Sequence, residues 1–151
     1  MTDPEILYPP HFIDAHDRAD AALQAKKIKI KQEQIKAITK KCKKYQYEEG
    51  DYFIRQPHTP EEIIEEGRIL RHCVGGYAKR HFEGSTTIMF LRKKEEPDIP
   101  FYTIEVDNKQ KIVQCYGYRN NLETPKPDEI KLLEKHYQDY LNGLNRKQKG
   151  A

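Results

Sequence analysis

Phe101-Tyr102-Thr103-Ile104-Glu105-Val106-Asp107-Asn108-Lys109-Gln110-Lys111-Ile112-Val113-Gln114-Cys115-Tyr116 reads as two β-strands joined by a polar turn. Side chains of opposite character alternate from Tyr102 to Val106, the period of a strand. The turn Asp107-Asn108-Lys109-Gln110 suits an antiparallel return. Thr86 to Arg92 has the same strand character and is set apart by Lys93 to Pro100, so Thr86 to Arg92, Phe101 to Asp107 and Lys111 to Tyr118 are predicted to form an antiparallel meander. On the middle strand, Thr103, Glu105 and Asp107 share one face, and Tyr102, Ile104 and Val106 share the other. Helices covering one face of the sheet bury the second set. Whether Gln114 or Cys115 points to that side is left open.

Two further strands are predicted upstream, within Tyr45 to Arg55, around a turn at Glu49-Gly50-Asp51. Thr59-Pro60-Glu61-Glu62 then opens a helix with a threonine cap, proline at the first helical position and an acid three residues after the cap. Ile63, Ile64, Ile69 and Leu70 carry the helical period toward Gly75-Gly76, where the helix is expected to stop or bend. A short helix from Tyr77 to Phe82 should end at Glu83-Gly84. Downstream, Pro125-Lys126-Pro127-Asp128 introduces a last helix with Ile130, Leu133, Tyr137, Tyr140 and Leu141 on one face, followed by a basic tail. At the amino end, Leu7 to Phe12 reads as extended. Asp14 can cap a long basic helix to Lys44, with a break where alternation replaces the helical period at Lys27 to Lys31.

The expected architecture is α+β: an antiparallel sheet of three to five strands backed by helices, with a long basic amino-terminal helix. At 151 residues one domain is expected, divided into a helical arm (14–44), a strand pair (45–58), the helix, meander and last helix (59–145) and a tail (146–151). Only 36% of residues are hydrophobic and none is tryptophan, so the core must rest on Tyr, Ile and Leu. No apolar run approaches the ~20 residues of a membrane span and no secretory signal opens the chain, which predicts a cytoplasmic protein with no membrane partner. Cys42, Cys73 and Cys115 are widely spaced and form no C-x-x-C pair, so neither a disulfide framework nor a structural zinc site is expected, and no cofactor.

Charge is unevenly distributed around the formal +3. From Lys26 to Lys44 there are nine lysines and one acid, Glu33. Lys26, Lys27, Lys29, Lys31, Lys40, Lys41, Lys43 and Lys44 are candidate contacts for nucleic acid, or for an acidic protein partner; the alternative is a solvated helix face or a mobile arm.

Leu70-Arg71-His72-Cys73-Val74-Gly75-Gly76-Tyr77 sets a thiol and an imidazole beside a glycine pair. A nucleophilic cysteine needs its thiolate, which a neighbouring imidazolium stabilises. Cys73 is the candidate nucleophile, with His72 or His81 as its partner and Glu105 as a base if its face is covered. A second reading is a ligand pocket for a nucleotide-like anion. In it, main-chain amides at Gly75 and Gly76 join Arg71, His72, Tyr77, Gln114, Tyr116, Arg119 and Asn120. A third has Cys73 and Val74 filling the core and the glycines forming a corner. No phosphate-loop or dinucleotide fingerprint is present.

Arg71 to Tyr77, Pro100 to Val106 and Ile112 to Asn120, together with Leu7-Tyr8-Pro9 and Ala15-His16-Asp17, resemble the PcfJ-like proteins of conjugative plasmids and phages. The resemblance spans nearly the whole chain. It implies residence on a mobile element and either a compact member or a carboxy-terminal portion of a longer one; it implies no reaction. The expectation is therefore an accessory or regulatory protein that binds nucleic acid or a nucleotide-like anion. The alternatives are an enzyme using Cys73 and an interaction module built on the basic helix.

Overall fold

The computed structural model describes residues 30–72 and 74–150, with side chains through Arg146. Five strands, β1 (Tyr47–Glu49), β2 (Tyr52–Arg55), β3 (Thr87–Lys93), β4 (Tyr102–Val106) and β5 (Ile112–Tyr116), form one antiparallel sheet in chain order. The fold is α+β, with the strand pair and the meander joined through β2 and β3. Gly50, at φ +55, makes the β1–β2 turn.

Among the described residues, four α-helices pack on this sheet: α1 (Gln32–Lys41), α2 (Pro60–Leu70), α3 (Ala78–Phe82) and α4 (Asp128–Gly150). The Thr59 hydroxyl caps α2 by accepting from the Glu62 amide, and Pro60 fills its first turn. α4 lays Ile130, Leu133, Tyr137 and Leu141 on Met89, Leu91, Tyr102, Ile104 and Cys115. It is tied down where the Tyr137 hydroxyl donates to the Tyr45 carbonyl at 2.7 Å. On the opposite face, Ile35 of α1, Ile63 of α2, Val74, and Ala78 and Phe82 of α3 pack with Ile88 and Phe90 of β3.

Helices therefore cover both faces, where the alternation predicted one. All five residues of β4 are buried, including Thr103 and Glu105. The register pairs Glu105 with Gln114 and Ile104 with Cys115, which sends Gln114 to the polar side and Cys115 into the apolar core.

One predicted element is not shown and two boundaries differ. A long basic amino-terminal helix is not shown: α1 starts at Gln32 after an extended Lys31 (φ −63, ψ 142), and residues 1–29, with Leu7 to Phe12 and Asp14, lie outside the described residues. Helix begins where Ile35, Ile38 and Cys42 resume helical spacing; the Lys-Ile alternation before it does not support that period. α2 stops at Leu70, because Arg71 adopts the left-handed conformation (φ 56, ψ 42) and its amide donates back to Gly67. Gly75 and Gly76 lie beyond that stop, inside a 3₁₀ turn at Val74–Tyr77. At the other end, backbone predicted as tail stays helical through Gly150.

Candidate functional site

Of the basic-segment lysines in the described residues, Lys36, Lys40 and Lys41 sit on α1, Lys31 just precedes it, and Lys43 and Lys44 lie in the 3₁₀ turn that follows, Cys42–Tyr45. Ile35 and Cys42 face the core, which turns Lys31, Lys36, Lys40, Lys41 and Lys43 to solvent. None of these five makes an ion pair among the described residues. Lys44 instead lies over the Tyr45 ring, 5.2 Å from its centroid. Lys26, Lys27 and Lys29 lie outside the described residues.

Between α1 and the start of α2 runs a groove of about 500 Å³. Lys36, Lys40 and Lys43 line one wall, His58, Thr59 and Glu61 the other, with Ile35 and Pro60 as apolar surface. Among the described residues that line it, Glu61 is the one carboxylate. The walls are held by amides: Gln46 donates to Gln56 Oε1 at 2.8 Å and Gln56 to the Thr39 carbonyl at 3.0 Å. The Gln34 amide ties α1 to the Phe82 carbonyl at 2.7 Å.

A second polar group is buried beneath α2. Glu66 projects onto the sheet, where the Arg92 guanidinium grips its carboxylate with both terminal nitrogens, at 2.6 and 2.9 Å. The Thr103 hydroxyl donates to the same carboxylate at 3.0 Å. Having spent its proton there, its oxygen accepts from His72 Nε2 at 3.2 Å, which places the imidazole proton on Nε2. One row along the sheet, Glu105 accepts from the Thr86 hydroxyl (2.6 Å) and the Gln114 amide (2.7 Å). His81 Nδ1 accepts the Ile88 amide at 2.9 Å.

Burial decides the protonation of these groups. It pushes His72 down to about 3 and His81 down to about 4, so both are neutral near pH 7 and neither offers an imidazolium to a thiol. Burial pushes the Glu66 carboxyl up, against the opposing pull of Arg92 and Thr103. Cys42 and Cys115 are core thiols raised by burial to about 11 and about 12. Cys73 lies outside the described residues. Among the described residues, no group of three or more His, Cys, Asp or Glu side chains is placed to hold a metal.

The residues proposed for a ligand corner differ in exposure and in backbone conformation. His72, Gln114 and Asn120 are buried. Tyr116 pairs across the sheet with Thr103, the hydroxyl that binds His72. Arg119 and Asn120 both adopt left-handed backbone (φ 51 and 58) in a turn packed against α2. Arg80 lies over Tyr77 at 4.8 Å. The chain packs closely against Gly67, where a Cβ would lie 2.7 Å from the His72 carbonyl oxygen, whereas one on Gly76 meets nothing within 4 Å.

Glu105 proves covered, yet its partners are Thr86 and Gln114; His72 is held by Thr103. The reading from sequence passed over Glu66, Arg92, Thr103 and Lys36. The spacing of Glu66 from Ile63 and Leu70 nevertheless marks the buried face of α2. Arg92 likewise continues the period-two series of Ile88 and Phe90.

The PcfJ-like protein family model matches residues 1–130. The chain belongs to the PcfJ-like proteins. An uncharacterized protein of Listeria innocua, Lin1253/Lin1744, is 36% identical over 117 residues, covering 76% of this chain and 26% of that relative. The chain thus spans about a quarter of that relative's length. No solved structure matches.

Proposed function

We propose that this PcfJ-like chain is an accessory protein of a plasmid or phage that binds nucleic acid through the lysine face of α1, in the cytoplasm. The carrying observation is the set of five solvent-facing lysines on and beside α1, none engaged by a carboxylate among the described residues, three of them lining a groove to which the described residues contribute one acid, Glu61. Exposed lysines that no protein carboxylate neutralises are what a polyanion's phosphates displace counterions to meet. The mobile-element setting rests on kinship with the family.

Fluorescence anisotropy with a labelled 20-nucleotide strand tests this. Binding should weaken steeply from 50 to 200 mM salt, and Lys40→Glu/Lys43→Glu should reduce affinity by at least about tenfold at 100 mM salt. Binding that ignores both salt and the charge reversals refutes the proposal. Charge reversal is preferred to deleting residues 26–44, since deletion also removes buried Ile35 and Cys42. Capture of an acidic protein by the same lysines, without affinity for nucleic acid, supports the interaction-module reading instead. Cys73→Ser should leave nucleic-acid binding intact; loss of a covalent adduct or a turnover in that variant favours the enzyme reading.

A further inference from the structure

We infer that the groove between α1 and α2 takes one base of a single strand, with successive phosphates of that strand on Lys36, Lys40 and Lys43 and the base over Ile35 and Pro60, against Gln46 and His58. The inference rests on the polyanion reading above and adds which nucleic acid and where.

Spacing supports the phosphate row. Lys36, Lys40 and Lys43 stand four and three residues apart, so on a helix they lie roughly 6 and 5 Å apart along one face. That is a step comparable to successive phosphates of an extended strand. Shape supports a single strand. A flat lysine face would meet duplex and single strand alike, but this one borders a concavity of about 500 Å³ lined by apolar surface and by amide, hydroxyl and imidazole groups. An unpaired base, which a duplex keeps stacked inside, offers a flat apolar face and a hydrogen-bonding edge to such a lining. Gln46 uses its amide nitrogen on Gln56, which leaves its carbonyl oxygen to accept from a base edge. The His58 side chain is exposed at the groove wall, and its backbone amide donates to Glu62. Glu61 stands across the groove from the lysines, a placement that disfavours a second phosphate on that side and leaves the base there.

The test compares the full chain's affinity for an oligothymidylate of 20 nucleotides with that for a 20-base-pair duplex, at one ionic strength. The single strand should bind about tenfold tighter, the low-to-middle range of one inserted base. His58→Ala and Gln46→Ala should erase most of that preference and leave duplex affinity unchanged, while Lys36→Ala/Lys40→Ala/Lys43→Ala should weaken both. The triple variant should also flatten the single-strand salt slope by about 2, at roughly 0.7 per phosphate contact. Circular dichroism melts confirm that each variant is folded. Equal affinity for strand and duplex, or a preference untouched by His58→Ala and Gln46→Ala, overturns the groove assignment while the polyanion reading survives. Binding of poly-glutamate but of neither nucleic acid overturns the groove assignment and the nucleic-acid reading together.

Discussion

Acidification from pH 7.5 to 5.0 should destabilise the fold chiefly through His72 and His81. Each imidazole is buried and neutral, with its folded-state pKa depressed by burial from 6.5 to about 3 and about 4 respectively. A depressed pKa contributes stability that is present above 6.5 and is lost as pH falls toward the folded value, because the unfolded chain gains protons that the native state refuses. At pH 5 the unfolded imidazole is almost fully protonated and the buried one is not, which amounts to about 2 kcal/mol per histidine and about 4 kcal/mol for the pair. Glu66, raised by burial, works in the opposite sense and adds stability as pH falls. Urea unfolding followed by far-UV circular dichroism at both pH values measures the difference. It should be run on wild type and on His72→Gln/His81→Gln, in which Glu66 is common to both proteins. Wild type should lose about 4 kcal/mol more than the double variant. Equal losses in the two proteins would show that the imidazoles are not held neutral, and the reasoning from burial would fail.

Arg92→Leu strands a carboxylate beneath α2 and should cost about 3–5 kcal/mol, whereas Glu66→Leu/Arg92→Leu should recover most of it in denaturant titrations. Recovery by the double variant is the decisive point, since two independent core losses would add. Gly67→Ala should destabilise by about 1–3 kcal/mol, because the new methyl meets backbone at His72 and Gly75. Gly76→Ala should stay within about 0.5 kcal/mol of wild type, and thermal melts of the pair test which glycine the corner needs.

The meander, the cap of α2 and the burial face of α4 were legible because each is written in local periodicity: alternation from Tyr102 to Val106, Thr59-Pro60 before an acid, and Ile130, Leu133, Tyr137 and Leu141 at helical spacing. What was not legible is a property of pairs distant in sequence. Glu66 and Arg92 are 26 residues apart, and Thr103 is 37 from Glu66. Each alone reads as a solvated residue; together they form a buried group. The same holds for the second covered face, since strand alternation reports that one face is apolar without saying that a polar face lies under α2. The stop of α2 was misplaced because glycine is the favoured left-handed residue, and here Arg71 takes that conformation.

The buried polar group and the surface groove are parts of one construction. α2 supplies the groove's Pro60 and Glu61 at its start and, within two turns, Glu66 to Arg92 and Gly67 to the His72 backbone. α1 supplies Lys36 and Lys40 and is fixed by Ile35 in the core and by amide bonds to Phe82 and Gln56. A buried ion pair rarely adds much net stability, but its fork geometry permits few alternatives, so it sets where α2 lies on the sheet. The spacing of the groove walls then depends on Arg92, which touches no part of the groove. Glu66→Leu/Arg92→Leu should therefore keep its stability yet lose part of any single-strand preference, whereas charge reversal at Lys40 and Lys43 should remove affinity without moving α2. Separate outcomes of that kind in anisotropy and in denaturant titration would locate specificity in the placement of α2 and affinity in the charge of α1.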